Sequence, residues 1–494
     1  MTIGLLTLVS VGKENIYLST EPEITYFKIA YKRYSNFSIE TIAQYFKTLP
    51  DFSRRVTVNI SKNADLLGQC YLYVVLPDII TSNSSSLPNG IKKFAWAKKI
   101  GLVLLRYIDF EISGILIERN FGDWLNIWNE LTVTIAKKKS YNKMIGDIEL
   151  LTKYTNGKKS YGLNIPLNFW FCQDTGLALP LIAMIHNDIK FHVEFNDFNV
   201  CYKESPTNYM QIQETFCLYK PNEIFKQIVN GNVAIGEFIY FNEVNQYLYY
   251  NKISGNFVIP TLLTQSYLLI GSETLFECNI AVNSLIIKDE SYFRFNTPSI
   301  IDANILVNYI YLDNEERFNF IVKPHQYLVP QVQNITQQTV YSVNVAYKIP
   351  FINPNKIIFW RCNLVSNDMI NDHFNYSLAP LTSAQDNIVE QTQIILNSIQ
   401  RVELTNQESY SILQTYINNF SSSQVGIYMY SFSLNPLEFQ PSGTCNFSQI
   451  DDTYLQLTLN KRINYQNPAY INAYSIQYNV FKVEHGLGSI GFVL

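Results

Sequence analysis

Two carboxylates, a glycine cluster and five histidines are the residues of this chain whose types and spacing could do chemistry. Asp109 and Glu111 stand two apart in Ile108-Asp109-Phe110-Glu111-Ile112, which puts both on one strand face about 7 Å apart. Inverting glycosidases use carboxyls roughly 6.5–9.5 Å apart. Carboxylates at that spacing are also commonplace on the solvent side of an alternating strand, and nothing in the flanking sequence marks a cleft. Gly486-Leu487-Gly488-Ser489-Ile490-Gly491 has the G-x-G-x-x-G spacing of a dinucleotide loop. That reading needs a following helix whose N-terminus meets a pyrophosphate, and Phe492-Val493-Leu494 is too short to make one. A flexible C-terminal turn is expected instead.

His186, His192, His325, His373 and His485 show no metal-ligand spacing. Glu484-His485 could meet a cation between subunits, with a plain surface pair as the simpler reading. No Ser/His/Asp constellation is recognisable, so no catalytic, cofactor-binding or metal residue is assigned. N-x-S/T acceptors occur at Asn36, Asn59, Asn83, Asn334, Asn375, Asn419 and Asn446. Asn59 and Asn446 are expected to be buried, whereas Asn83, Asn375 and Asn419 lie in polar loops and are the better glycosylation candidates.

The elements that carry these residues repeat. Ile108, Phe110 and Ile112 alternate with Asp109 and Glu111, the pattern of a strand with one buried face. Ser113-Gly114 then makes a two-residue turn, since Gly tolerates the positive φ of tight hairpins. In the helix that follows, Asp123 can act as a cap, and Trp124, Ile127, Trp128 and Leu131 share one stripe. The unit returns as Gln393-Ile394-Ile395-Leu396, Asn397-Ser398 and Ile399-Gln400-Arg401-Val402-Glu403-Leu404, followed by Tyr410, Leu413 and Ile417 at helical spacing.

Around each unit the strands keep one order. Residues 55–60, 70–76, 164–171, 189–195 and 305–312 are matched by 343–345, 356–362, 427–434, 455–459 and 474–483. Residues 137–162 read as a solvated loop, and residues 323–333 as the linker between halves. Short hairpin-joined strands with almost no long helix predict an all-β fold of two tandem jelly-roll sandwiches with short helices in loops. The expected division is an arm at 1–24, a first jelly roll at 25–322 with a strand-rich insertion at 196–303, and a second at 323–494.

Composition narrows the function. Of 494 residues only 16% are charged, while Tyr 35 and Phe 31 are numerous, which suits large contact surfaces. Lys+Arg 37 against Asp+Glu 41 leaves a net charge of −4. Without a concentrated cationic stripe, direct binding of nucleic acid is not expected. The 7 cysteines show no C-x-x-C spacing, so no disulfide framework is expected. The apolar run near the N-terminus is too short for a membrane span and lacks the flanks of a signal peptide.

Glu21-Pro22-Glu23-Ile24-Thr25-Tyr26-Phe27-Lys28 with Tyr31-Lys32-Arg33-Tyr34-Ser35-Asn36-Phe37-Ser38 resembles the N-terminal signature of the major capsid proteins of nucleo-cytoplasmic large DNA viruses. Phe121-Gly122-Asp123-Trp124, Phe169-Trp170-Phe171-Cys172, Gly176-Leu177-Ala178-Leu179-Pro180, Tyr309-Ile310-Tyr311-Leu312-Asp313 and His325-Gln326-Tyr327-Leu328 continue it. Gln440-Pro441-Ser442-Gly443-Thr444-Cys445-Asn446-Phe447 is the most specific match. The resemblance implies a double jelly-roll subunit without an active site or cofactor. It implies homotrimers of pseudo-hexagonal outline that tile an icosahedral shell, located in the virion and assembled in the host cytoplasm. Its partners would be neighbouring capsomers, minor capsid proteins beneath the shell and, indirectly, an internal membrane. The alternatives are a minor capsid paralogue of the same fold and a jelly-roll glycan-binding protein or glycosidase.

Overall fold

The computed structural model describes residues 3–10, 12–13, 19–80, 93–220, 222–262, 264–288, 298–378, 387–421 and 426–492. After a short helix, α1 (Ile3–Val9), the first sandwich uses β1 (Phe37–Tyr45), β2 (Arg55–Asn59), β3 (Leu66–Leu76), β4 (Leu105–Ile112), β5 (Ile115–Phe121), β6 (Tyr161–Pro166) and β7 (Ile189–Phe195). Helices α2 (Gly122–Thr132) and α3 (Ile135–Ile145) follow β5. A separate group comprises β8 (Asn208–Gln211), β9 (Ile224–Val229), β10 (Asn232–Asn242), β11 (Tyr247–Ser254), β12 (Leu268–Gly271), β13 (Glu277–Asn279) and β14 (Ile287–Lys288). The chain then returns to the first sandwich as β15 (Asp302–Leu312) and passes through α4 (Asn314–Val322). The second sandwich uses β16 (His325–Asn334), β17 (Asn344–Lys348), β18 (Pro354–Leu364), β19 (Val389–Leu396), β20 (Ile399–Asn406), β21 (Ile427–Ser431), β22 (Thr453–Leu459) and β23 (Ala469–Glu484), closed by β24 (Leu487–Ile490). Between β20 and β21, a π turn at Ser409–Leu413 runs into α5 (Gln414–Ile417).

The two halves share one topology. The first pairs its strands as β1-β15-β3-β6 and β2-β7-β4-β5, and the second as β16-β23-β18-β21 and β17-β22-β19-β20. Substituting each strand by its counterpart turns one list into the other, so the duplication read from the sequence is a duplication of jelly rolls. Both hairpins are as expected. Ser113 and Gly114 have φ 51 and 87, and Asn397 and Ser398 have φ 48 and 64, the double positive φ of a type I′ turn that matches strand twist. Inside the second sandwich, Trp360 packs on Tyr410 and Tyr428 above Leu455 and Leu457.

Three local expectations change. Residues 137–162 include most of α3, which is flanked by Thr134 and by Gly146, where φ is 79; the three lysines are on its solvated face. The strand expected at 164–171 ends at Pro166, and Trp170–Gln173 turns helical. The stretch expected as a linker contains β16, a ladder partner of β23 from His325↔Val483 to Asn334↔Tyr474. Its Pro330 sits on an edge strand, where no ladder amide is needed.

The strands β8–β14 form one seven-stranded sheet, in the order β13-β12-β9-β10-β11-β8-β14. Met210, Phe225, Phe238, Leu248 and Tyr250 give it a hydrophobic cluster of its own. Nearer the sandwich, Phe198 and Cys201 belong to the main core. The two ends of the sheet meet, because Asn208 and Lys288 are ladder partners. Excising residues 209–287 and joining Asn208 to Lys288 through a few glycines therefore closes a gap of about 5 Å and removes a self-contained core. The shortened protein is expected to stay soluble and to unfold in a single cooperative transition by circular dichroism. Its loss to aggregates would show that the inserted sheet supports the sandwiches.

Candidate functional site

The carboxylate pair singled out by spacing is committed elsewhere. Asp109 and Glu111 do share the outward face of β4, but Asp109 is 2% exposed. Arg119 reaches it through Nε at 2.6 Å and Nη2 at 2.9 Å, and Arg55 adds a contact at 3.2 Å. Arg119 in turn lies 4.1 Å over the ring of Tyr107. Glu111 binds His192 Nε2 at 2.9 Å and Lys190 at 3.6 Å. Both carboxylates are thus engaged by side chains of their own sheet.

The glycine cluster is a hairpin, not a loose turn. His485 and Gly486 take φ 52 and 80, and β24 pairs back onto β23 from Glu484↔Leu487 to Phe481↔Ile490. A Cβ on Gly486 would stand 2.6 Å from the His186 ring. His186 N donates to Gly486 O at 3.1 Å, and Gly488 N donates to Asn187 Oδ1 at 2.6 Å. The glycines thus let the last hairpin press against the first sandwich. Among the described residues, no group of three or more His, Cys, Asp or Glu side chains could hold a metal ion.

Of the glycosylation candidates, Asn83 lies outside the described residues. Asn375 is half-buried and engaged: it donates to Asp372 Oδ2 at 2.9 Å and accepts from Ser377 Oγ at 2.7 Å. Asn419 is exposed, with φ 58. Asn59 and Asn446 are exposed as well, contrary to expectation. Asn59 points away from the core opposite Lys190, and Asn446 caps the turn at Phe447–Gln449.

The densest built feature was not singled out by sequence. It is the junction between the sandwiches. Asp123, expected to cap α2, makes no cap bond. Its Oδ2 instead accepts from Arg361 Nε at 2.6 Å and from Tyr474 OH at 2.7 Å, and its Oδ1 accepts from Tyr376 OH at 2.7 Å. Arg361 stands on β18, Tyr474 on β23 and Tyr376 in the following loop, all in the second half. The guanidinium is 6% exposed. Burial works against its charge, but Asp123 together with Tyr376 and Tyr474 holds its pKa above the ordinary arginine value. Burial, and then the Asp123 charge, raise both tyrosines well above theirs. Both phenols therefore stay protonated as donors.

The network continues into the first half. Asn126 Nδ2 donates to Tyr376 OH at 3.1 Å. Lys99 Nζ donates to Asn126 Oδ1 and to Glu130 Oε1, each at 2.6 Å. Burial lowers the Lys99 pKa, and Glu130 opposes it. An apolar wall surrounds these groups. Trp124 lies 5.5 Å from Phe359 and 5.4 Å from Tyr474, and Trp170 lies 5.8 Å from Phe481. The stripe read on α2 therefore buries itself against the second sandwich. One hydrophobic cluster runs from the first sandwich through Val332, Ile357, Phe359 and Ile476 of the second. At about 1.5–3 kcal/mol per large side chain buried, this wall holds the halves together.

A full-length comparison accompanies this architecture. Residues 25–222 match the family described as major capsid protein N-terminus, and residues 316–489 match large eukaryotic DNA virus major capsid protein. The chain is 32% identical to "Probable capsid protein 4" of Acanthamoeba polyphaga mimivirus, covering 100% of this chain and 99% of the relative. The chain belongs to the major capsid protein family of large eukaryotic DNA viruses. It is also 27% identical to the major capsid protein of Phaeocystis pouchetii virus, with 100% of both chains covered. A solved PBCV-1 capsid chain matches with TM-score 0.65 at 21% identity, over 95% of this chain and 100% of that one. The Faustovirus major capsid protein matches with TM-score 0.67 at 12% identity, over 96% and 94%. The fold is thus the double jelly roll of viral capsids, and the chain is a structural capsid protein of the virion.

Two predictions follow from this capsid protein's junction. Asp123→Ala leaves Arg361 charged and buried without its partner, which costs about 3–5 kcal/mol. Asp123→Leu combined with Arg361→Met removes both charges and is expected to cost clearly less than the single change, read from denaturant midpoints. The second concerns Glu118 on β5, which is 1% exposed with Oε2 unpartnered. Burial raises its pKa well above the usual value, against a backbone hydrogen bond from Val332. The folded state therefore binds this proton more tightly than the unfolded one. Stability is full below the ordinary Glu pKa and falls as pH rises towards the raised one. Glu118→Gln is expected to raise the melting temperature at neutral pH, with a gain of about 1 kcal/mol or more, and to make little difference near pH 4. A gain of equal size at both pH values would contradict the assignment.

Proposed function

We propose that this capsid protein forms homotrimeric capsomers with a pseudo-six-fold outline and that these tile the icosahedral shell of a large DNA virus. One observation carries the reading: each chain holds two jelly rolls with the same strand order. A hexagonal lattice needs six similar edges, and closed three-fold rings are geometrically simple. Three such chains supply six wedges. On this reading, residues 1–24 form an arm, 25–322 and 323–494 are the two wedges, and the insertion at 196–303 rises from the first as a tower on the outer surface. The committed side chains of Asp109 and Glu111 favour a purely structural role over glycosidase activity.

Assembly in the host cytoplasm, docking of minor capsid proteins beneath the shell and indirect contact with an internal membrane belong to the same proposal, as does the absence of direct nucleic-acid contact. Any glycosylation would fall on Asn83, Asn375 or Asn419, with exposed Asn419 the best placed of the two in described segments. Light scattering behind a sizing column tests the trimer, with an expected mass of three times the 57.2 kDa chain. A folded monomer or dimer would refute it.

The alternative is a minor capsid paralogue of the same fold. Copy number in purified particles, by quantitative mass spectrometry, separates the two roles.

A further inference from the structure

Behind the Asp123 network, an amine, an amide and a carboxylate meet in one buried cluster. Lys99 Nζ stands 2.6 Å from Asn126 Oδ1 and 2.6 Å from Glu130 Oε1. Asn126 and Glu130 are four residues apart on α2, so both side chains leave the same helix face. Lys99 stands at the N-cap of the short helix Ile100–Leu104, with φ 54 and ψ 46. That left-handed backbone is unfavourable for a residue with a Cβ. The two carriers are pressed together: a Cβ on Gly122, the first residue of α2, would stand 2.0 Å from Leu102 O.

The surroundings suit a reaction between lysine and asparagine. Lys99 is 4% exposed and Asn126 1%, which keeps water from the reacting atoms. A carbonyl bond is about 1.23 Å long, so Nζ lies at most about 3.8 Å from Asn126 Cγ, close to the roughly 3–3.5 Å of a near-attack pair. The amide is held in one orientation, because its Nδ2 donates to Tyr376 OH at 3.1 Å while that hydroxyl donates to Asp123 Oδ1. Its carbonyl therefore faces the lysine. Burial lowers the Lys99 pKa against the pull of Glu130, which eases formation of the neutral, nucleophilic amine. For Glu130, burial works upward, but Lys99 outweighs it and holds the carboxyl below its usual value. Glu130 is thus a carboxylate in contact with the ammonium and able to take its proton.

We propose that Lys99 and Asn126 join in an intramolecular isopeptide bond, with Glu130 carrying the proton. Glu130 takes one proton from the Lys99 ammonium. The neutral Nζ swings over the carbonyl plane and attacks Cγ; the Nζ–Cγ bond forms and the Cγ–Nδ2 bond breaks. Of the three ammonium protons, one stays on the new amide. The other two leave with Nδ2 as an ammonium ion, one of them returned by Glu130, which ends as a carboxylate again. The step is an acyl transfer without oxidant or other co-reactant. It ties the chain ahead of β4 to α2, the helix that carries Asp123, and so fastens covalently the element on which the two sandwiches meet.

Peptide mapping of the purified full-length protein by mass spectrometry tests this. The expected result is a branched peptide that joins the Lys99 and Asn126 fragments and is lighter than their sum by one ammonia. Glu130→Gln keeps the side-chain shape and removes the base, so both fragments are expected to stay linear. Lys138→Ala removes only the exposed second partner of Glu130 and should keep the branch. Circular dichroism establishes that the variants are folded, and should Glu130→Gln fail to fold, the wild-type map decides alone. Linear fragments in the folded wild type overturn the proposal. So does loss of ammonia without a branch, as cyclisation of an asparagine would give. A branch that persists in folded Glu130→Gln overturns the role given to Glu130.

Discussion

A single carboxylate, Asp123, lies where the two jelly rolls meet, and much of the architecture follows from keeping it satisfied. The guanidinium it holds is 6% exposed, and a charge that buried is stable only with its partner in place; all three donors to Asp123 come from the other half of the chain: Arg361, Tyr376 and Tyr474. The Trp124 and Trp128 stripe supplies most of the attraction, because area removed from water is non-directional. The hydrogen bonds to Asp123 supply the register, because they are met in only one docking of α2 on β18 and β23. Apolar burial and ionic geometry thus do different work at one surface.

The duplicated units are not buried alike. Helix α2 packs against the second sandwich, whereas β20 is exposed along most of its length and Ile412, Leu413, Tyr416 and Ile417 beyond it are exposed as well. Low charge and abundant tyrosine, read first as a compositional bias, become concrete at Tyr45, Tyr71, Tyr73 and Tyr416. The inserted sheet has a hydrophobic core of its own.

Much of the fold was legible in the sequence because its signals are local. Period-two alternation marked β4, β7 and β22, Ser113-Gly114 fixed a turn, and the common order of strands revealed the duplication, while the capsid resemblance was carried by motifs such as Gln440–Phe447. The junction was not legible, for a physical reason. An aspartate in the first turn of a helix reads as a cap, since the helix dipole favours it there. Its real partners lie 238 to 351 residues away. Strand β18 reads as apolar from sequence, yet nothing local says that its second face is covered from within the chain. Likewise α3 hid behind three lysines that happen to form its wet face, and Pro330 disguised β16 as a linker.

The central claim is that the two sandwiches form one cooperative body joined at Asp123. Native-state hydrogen exchange, followed at rising denaturant concentration, tests it most directly. The amides of α2 and of β18 should exchange through the same global opening, with free energies that converge on the stability of the whole chain. If β18 exchanges through a separate, cheaper opening while α2 stays protected, the junction does not couple the sandwiches and the account is wrong.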